Sequence, residues 1–117
     1  MQWAKDLALG ESVRGEEKRI IKKLTKKEFR DYYLICYSLN PDEMLDLFPV
    51  RVVTNPHFPE KDLMVLGIEG GREEAILVTT DLLTDSFQQT GDWDIRKRRD
   101  AVCFRKGSDW GGSRSWQ

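Results

Sequence analysis

The chain is expected to fold as an α+β domain: N-terminal helices packed on a small two- or three-stranded sheet, with a long amphipathic helix over 72–90 on the sheet's other face. Three observations predict this. Residues 63–68, Leu-Met-Val-Leu-Gly-Ile, form an apolar run without polar alternation, which suits a strand covered on both sides. Glu69-Gly70-Gly71 then breaks the run. Beyond it, positions 75, 76, 79, 82, 83, 86, 87 and 90 carry no charge, whereas Thr80, Asp81, Thr84, Asp85, Gln88 and Gln89 are all polar. An uncharged stripe held for about four turns is the signature of an amphipathic helix, and Gly91 stops it as a left-handed C-cap. Because Ala75 to Thr80 includes β-branched residues, a hairpin with its tip at Gly70-Gly71 is the alternative.

Composition limits the class. At 117 residues the chain fits one domain with one modest core. Its content is 39% hydrophobic and 33% charged, and the apolar residues are well patterned, which fits a soluble globular domain with polar tails. No apolar run is long enough to cross a bilayer, and residues 1–10 lack the basic start and apolar centre of an export signal. Cys36 and Cys103 are therefore expected to be reduced thiols in a cytoplasmic protein.

Charge is unevenly spread. Residues 14–30 carry eight bases against three acids, net +5; residues 31–95 carry thirteen acids against Arg51, Lys61 and Arg72, net −10; residues 96–117 return to +5. Basic ends around an acidic middle suit self-complementary docking as well as binding to a polyanion.

The elements in order are these. Residues 1–14 form a weakly ordered segment in which Trp3 and Leu7 share one side of a short helix. The single domain covers 15–97. Glu16 to Leu24 reads as a helix with acids first and bases last, and Ile20, Ile21 and Leu24 on one face. Thr25-Lys26-Lys27-Glu28 matches a capping box flanked by Leu24 and Phe29, and Phe29, Tyr32, Tyr33, Cys36 and Tyr37 follow at helical spacing, so a second helix is expected over 26–38. Asn40-Pro41-Asp42-Glu43 repeats the signal for a third, short helix over 41–47, ended by Pro49. Val50 to Thr54 is a strand candidate, joined by the proline-rich loop 55–62 to an antiparallel partner at 63–68. Asp92 to Ile95 is expected to pack back on the core. Ala101 to Phe104 reads as an edge strand, reached by a right-handed βαβ crossover if parallel. A flexible basic tail rich in Gly, Ser and Trp completes 98–117.

No motif rises to a chemistry. Gly67-x-x-Gly70-Gly71 is neither a dinucleotide fingerprint nor a P-loop, and Glu69, Glu73 and Glu74 crowd the helix start with negative charge, so no cofactor is assigned. His57 is the sole histidine, Asp81 and Asp85 read as a solvated helix face, and no catalytic or metal site is assigned. An enzyme ranks third. First is a small non-catalytic binding or accessory module that acts through a protein partner or self-association, with no membrane and no identifiable small ligand. The alternative is a winged-helix-like nucleic-acid binder whose phosphate contacts are Lys22, Lys23, Lys26, Lys27 and Arg30. Against it, the recognition helix at 41–47 would carry Asp42, Glu43 and Asp46. The general look is that of a small bacterial-type α+β domain.

Overall fold

The computed structural model describes residues 1–25, 32–40, 42–53, 55–58, 63–96 and 104–106. The expected α+β class holds. In chain order the elements are β1 (Gln2–Leu9), a 3-10 turn (Glu11–Val13), α1 (Glu17–Thr25), β2 (Tyr33–Tyr37), β3 (Leu45–Pro49), α2 (Val50–Val53), β4 (Met64–Glu69), α3 (Arg72–Thr90) and β5 (Phe104–Lys106). The strands form one mixed sheet in the order β3-β2-β4-β1-β5. β1 and β4 are parallel, and every other neighbouring pair is antiparallel.

Both faces of the sheet are covered. On one face Trp3, Leu34, Cys36, Val65 and Ile68 pack with Ile20, Ile21 and Leu24 of α1 and with Val50 and Val53 of α2. On the other, Ala4, Tyr37 and Leu66 pack with Ile95 and with Leu82 and Leu83 of α3. The unbroken apolar reading of 63–68 is explained by this double cover: β4 is central, and from Val65 to Glu69 it is buried throughout.

The sheet is larger than the expected two or three strands, because several segments take a different form. Residues 1–14 do not form a loose helix. Gln2–Leu9 is an interior strand between β4 and β5, with Trp3 and Ala4 each 1% exposed. Its register slips between Trp3 and Ala8, so exposed Lys5 and Asp6 interrupt the apolar pattern that would have marked a strand. The 26–38 helix is replaced over Tyr33–Tyr37 by β2. Its Tyr-Leu-Ile-Cys-Tyr run is rich in strand formers and lies between two partners, a setting in which distant pairing overrides local helical spacing. The capping-box residues 26–28, with Phe29 and Arg30, lie outside the described residues.

The third helix is replaced by β3, which pairs with β2 as a hairpin. The Asn40 side chain does accept the Asp42 N–H at 3.0 Å, as an N-cap would, but the Glu43 N–H bonds the Asn40 carbonyl and the Ser38 N–H bonds the Met44 carbonyl. The same side-chain bond serves an Asx turn, and here the chain reverses into a strand. Val50–Val53 is one helical turn instead of a strand. Its Val50 and Val53, three apart, drop into the α1-side core. It therefore does not pair with β4, whose neighbours are β1 and β2. At the C-terminus Phe104–Lys106 runs antiparallel to β1, so no parallel βαβ crossover through α3 forms. The helix order of a winged-helix domain is accordingly not formed by the described elements.

Candidate docking surface

α3 is launched by the glycine turn. Its N-cap is Gly71, which has no side chain to cap the first turn. Glu74 reaches back instead and accepts the Gly70 N–H at 2.8 Å and the Ser12 hydroxyl at 2.8 Å. That bond to the backbone, ahead of the one to Ser12, holds the Glu74 carboxyl below its usual range. Gly10 and Gly70 make room for the clamp. A Cβ at Gly10 would fall on the Glu74 carboxyl, and one at Gly70 would fall on the Ser12 hydroxyl. Of the three glutamates expected to satisfy this helix start, Glu74 makes these bonds, whereas Glu69 is buried with its pKa raised.

Beneath the clamp lies Glu69, at the last position of β4. It is fully buried, and neither carboxyl oxygen has a hydrogen-bond partner. Burial, and then the nearby charge of Glu74, push its pKa from 4.5 up to about 8; the Gly10 N–H, whose own bond goes to the Ile68 carbonyl at 3.4 Å, opposes this only in part.

From this anchor α3 runs across the sheet and ends at Gly91. There φ is 73° and the N–H bonds the Phe87 carbonyl, as the left-handed cap requires. The inward side of α3 carries Ala75 and Ser86, both fully buried, with Leu82 and Leu83 in the core. The outward side is not uniformly polar. Ile76 is 42% exposed, Leu77 67% and Phe87 38%. At about 100° per residue, Ile76, Thr80 and Phe87 share one shoulder of the helix, Leu77 sits on the crown, and exposed Asp81 and Asp85 lie on the opposite shoulder.

Trp93 extends the apolar shoulder. Its ring stacks on Phe87 with centroids 4.3 Å apart and planes 17° from parallel, yet it remains half exposed. The turn after Gly91 holds it there. The Asp94 N–H bonds the Asp92 carboxylate at 2.8 Å, and Asp94 pairs with Arg96, whose guanidinium also donates to the Glu43 carbonyl of the β2–β3 turn. Of the segment 92–95 expected to return to the core, Ile95 does so and Trp93 does not. On the acidic shoulder, Asp81 and Asp85 line a groove of about 440 Å³ together with Ala8, Leu9, Val78, Leu82, Thr84 and Gln88.

Neither the exposure of Leu77 nor that of Trp93 follows from the expected core stripe. The available signal for Leu77 was an apolar residue one step off the core stripe, where Thr80, Asp81 and Thr84 follow as polar residues. Of the five candidate phosphate contacts, Lys22 is exposed and Lys23 half-buried on α1, across the sheet from α3. Lys26, Lys27 and Arg30 lie outside the described residues. His57 is exposed, with its backbone N–H on the Asn55 side chain. Among the described residues no group of three or more metal-ligating side chains converges, and no helix is long and apolar enough to cross a membrane.

No family model matches the chain, and no curated protein or solved structure shows significant similarity to it.

Proposed function

We propose that this chain is a non-catalytic interaction module that docks a protein partner on the outward face of α3. The observation that carries the reading is the pairing of Leu77, 67% exposed, with the half-exposed Phe87–Trp93 stack on a helix whose other side already serves the core. Large apolar side chains left exposed at two points along one face, Leu77 with Ile76 near the start of α3 and Phe87 with Trp93 at its end, offer two anchors to a bound partner. Trp93 is already held in place by the Asp92–Arg96 turn, so little side-chain freedom would be lost on binding. The same reading sets the protein in the cytoplasm, where a free thiol such as Cys36 stays reduced.

Photo-crosslinking tests this reading. With Leu77 replaced by p-benzoylphenylalanine, irradiation in the source cells is expected to yield a discrete covalent adduct of higher mass. The same replacement at Lys22, across the sheet, should not give that adduct. An adduct at Lys22 and none at Leu77 would overturn the reading.

A further inference from the structure

We infer that the partner seated on the outward face of α3 is a cationic amphipathic helix of another protein, and not a second copy of this chain; the inference rests on the docking reading above. The face has two parallel stripes of different chemistry. One shoulder carries Ile76, Phe87 and Trp93, with Thr80 between the first two and Leu77 on the crown; the other carries Asp81 and Asp85 beside the groove.

Symmetry argues against self-docking through this face. In a two-fold antiparallel pairing of α3 with its copy, like shoulders meet, so Asp81 and Asp85 confront the same residues of the other copy. In a two-fold parallel pairing, the apolar shoulder of each copy covers the acidic shoulder of the other and buries those carboxylates against apolar rings. Both arrangements are unfavourable. Among the described elements, head-to-tail docking of α1 onto α3 supplies bases but no apolar surface, since Ile20, Ile21 and Leu24 of α1 are already buried in the core.

A helix that carries an apolar stripe beside a row of Lys or Arg fits both shoulders at once. The apolar groups opposite Ile76, Leu77 and Phe87 displace water, and the cations reach Asp81 and Asp85 at the rim, where they set orientation and partner choice. From Ile76 to Phe87 the strip is roughly 16 Å long at ~1.5 Å per residue, the length of about three turns of partner helix.

The test uses three fluorescein-labelled synthetic peptides of 18 residues with one helical pattern: Leu with Lys, Leu with Glu, and Ser with Lys. Fluorescence anisotropy with the full chain at about 0.15 M salt is expected to show the Leu/Lys peptide bound at least tenfold more tightly than either other peptide. The double variant Asp81→Lys, Asp85→Lys should bring the Leu/Glu peptide ahead of the Leu/Lys peptide, and Leu77→Asp should weaken the Leu/Lys peptide at least fivefold despite its added negative charge. Equal binding of Leu/Lys and Leu/Glu, equal binding of Leu/Lys and Ser/Lys, or an unchanged ranking in the double variant each overturns the inference. Light scattering that shows a concentration-dependent dimer abolished by Leu77→Asp would overturn it in favour of a second copy. An adduct at Leu77 together with no charge preference would leave the docking face standing and remove only the cationic partner.

Discussion

A Trp3→Ala variant is expected to lose about 3–5 kcal/mol of stability, the usual cost of removing a large aromatic from a packed core. Trp3 is 1% exposed and stands in β1, paired with Val65 of β4 on one side and with Arg105 of β5 on the other. Its ring belongs to the cluster that joins α1, α2 and the sheet, so its loss leaves a void at the meeting of several elements. A domain of this size has roughly 5–15 kcal/mol of total stability, and the variant should therefore be near the edge of folding. Urea unfolding followed by circular dichroism measures the loss. A cost below about 0.5 kcal/mol, as for an exposed position, would place Trp3 in a dispensable N-terminal segment and contradict the five-stranded order.

The second large effect is a pH dependence at Glu69. Its folded pKa, raised to about 8, lies above its ordinary value of 4.5. Between these two values the folded protein holds a proton that the unfolded chain has released. Stability must then fall as pH rises through that window, with a limiting slope of about 1.4 kcal/mol per pH unit for this one group. The contribution is fully present below about pH 4.5 and is lost as pH rises through about 8. Glu74, whose pKa is depressed, acts in the opposite direction and only below about pH 4.5, outside that window. Glu69→Gln keeps the side-chain size and cannot ionise, so its stability relative to wild type should improve steadily from pH 5 to pH 8.5 and exceed it at the top by several degrees in Tm. Melting curves across that range check the claim. Parallel Tm-versus-pH curves for the two proteins would show that Glu69 does not titrate in the window and is not buried uncharged.

The elements legible in the sequence were those whose signals are local. The 63–68 run, the Gly70-Gly71 turn, the helix over 72–90 and the Gly91 cap are each written in consecutive residues, and each formed. The Ile20, Ile21 and Leu24 face of α1 was likewise legible and is buried as expected. The remaining strands depend on partners far away in the chain. Tyr33–Tyr37 carries aromatic and Cys residues at helical spacing, but it is an interior strand because β3 and β4 supply both its edges. Asn40 makes the bond to the Asp42 N–H that begins a helix and a turn alike, and the two differ only in the path the chain takes after Glu43. In Val50–Val53 the β-branched residues of a strand candidate form one turn of helix, because burial of Val50 and Val53 outweighs propensity.

The outward face of α3 was half legible. Its acids, Asp81 and Asp85, were read correctly as a solvated helix face. Its apolar half was not, because Ile76 and Phe87 sit on the margin of the core stripe, where sequence spacing counts them as inward. Trp93 stays outside since the Asp92–Arg96 turn directs Ile95, and not the indole, into the core.

The stability of Leu77→Asp in the isolated protein tests most directly whether the outward face of α3 is a surface offered to a partner. Leu77 is 67% exposed and stands apart from the core clusters, so urea unfolding of this variant should show a loss of no more than about 1 kcal/mol, from the weaker helix propensity of Asp and its repulsion by Glu73 and Asp81 four residues away. A loss of about 2 kcal/mol or more, the cost of a charge placed in packed apolar surroundings, would mean that Leu77 is covered within the chain itself and that the strip belongs to the core.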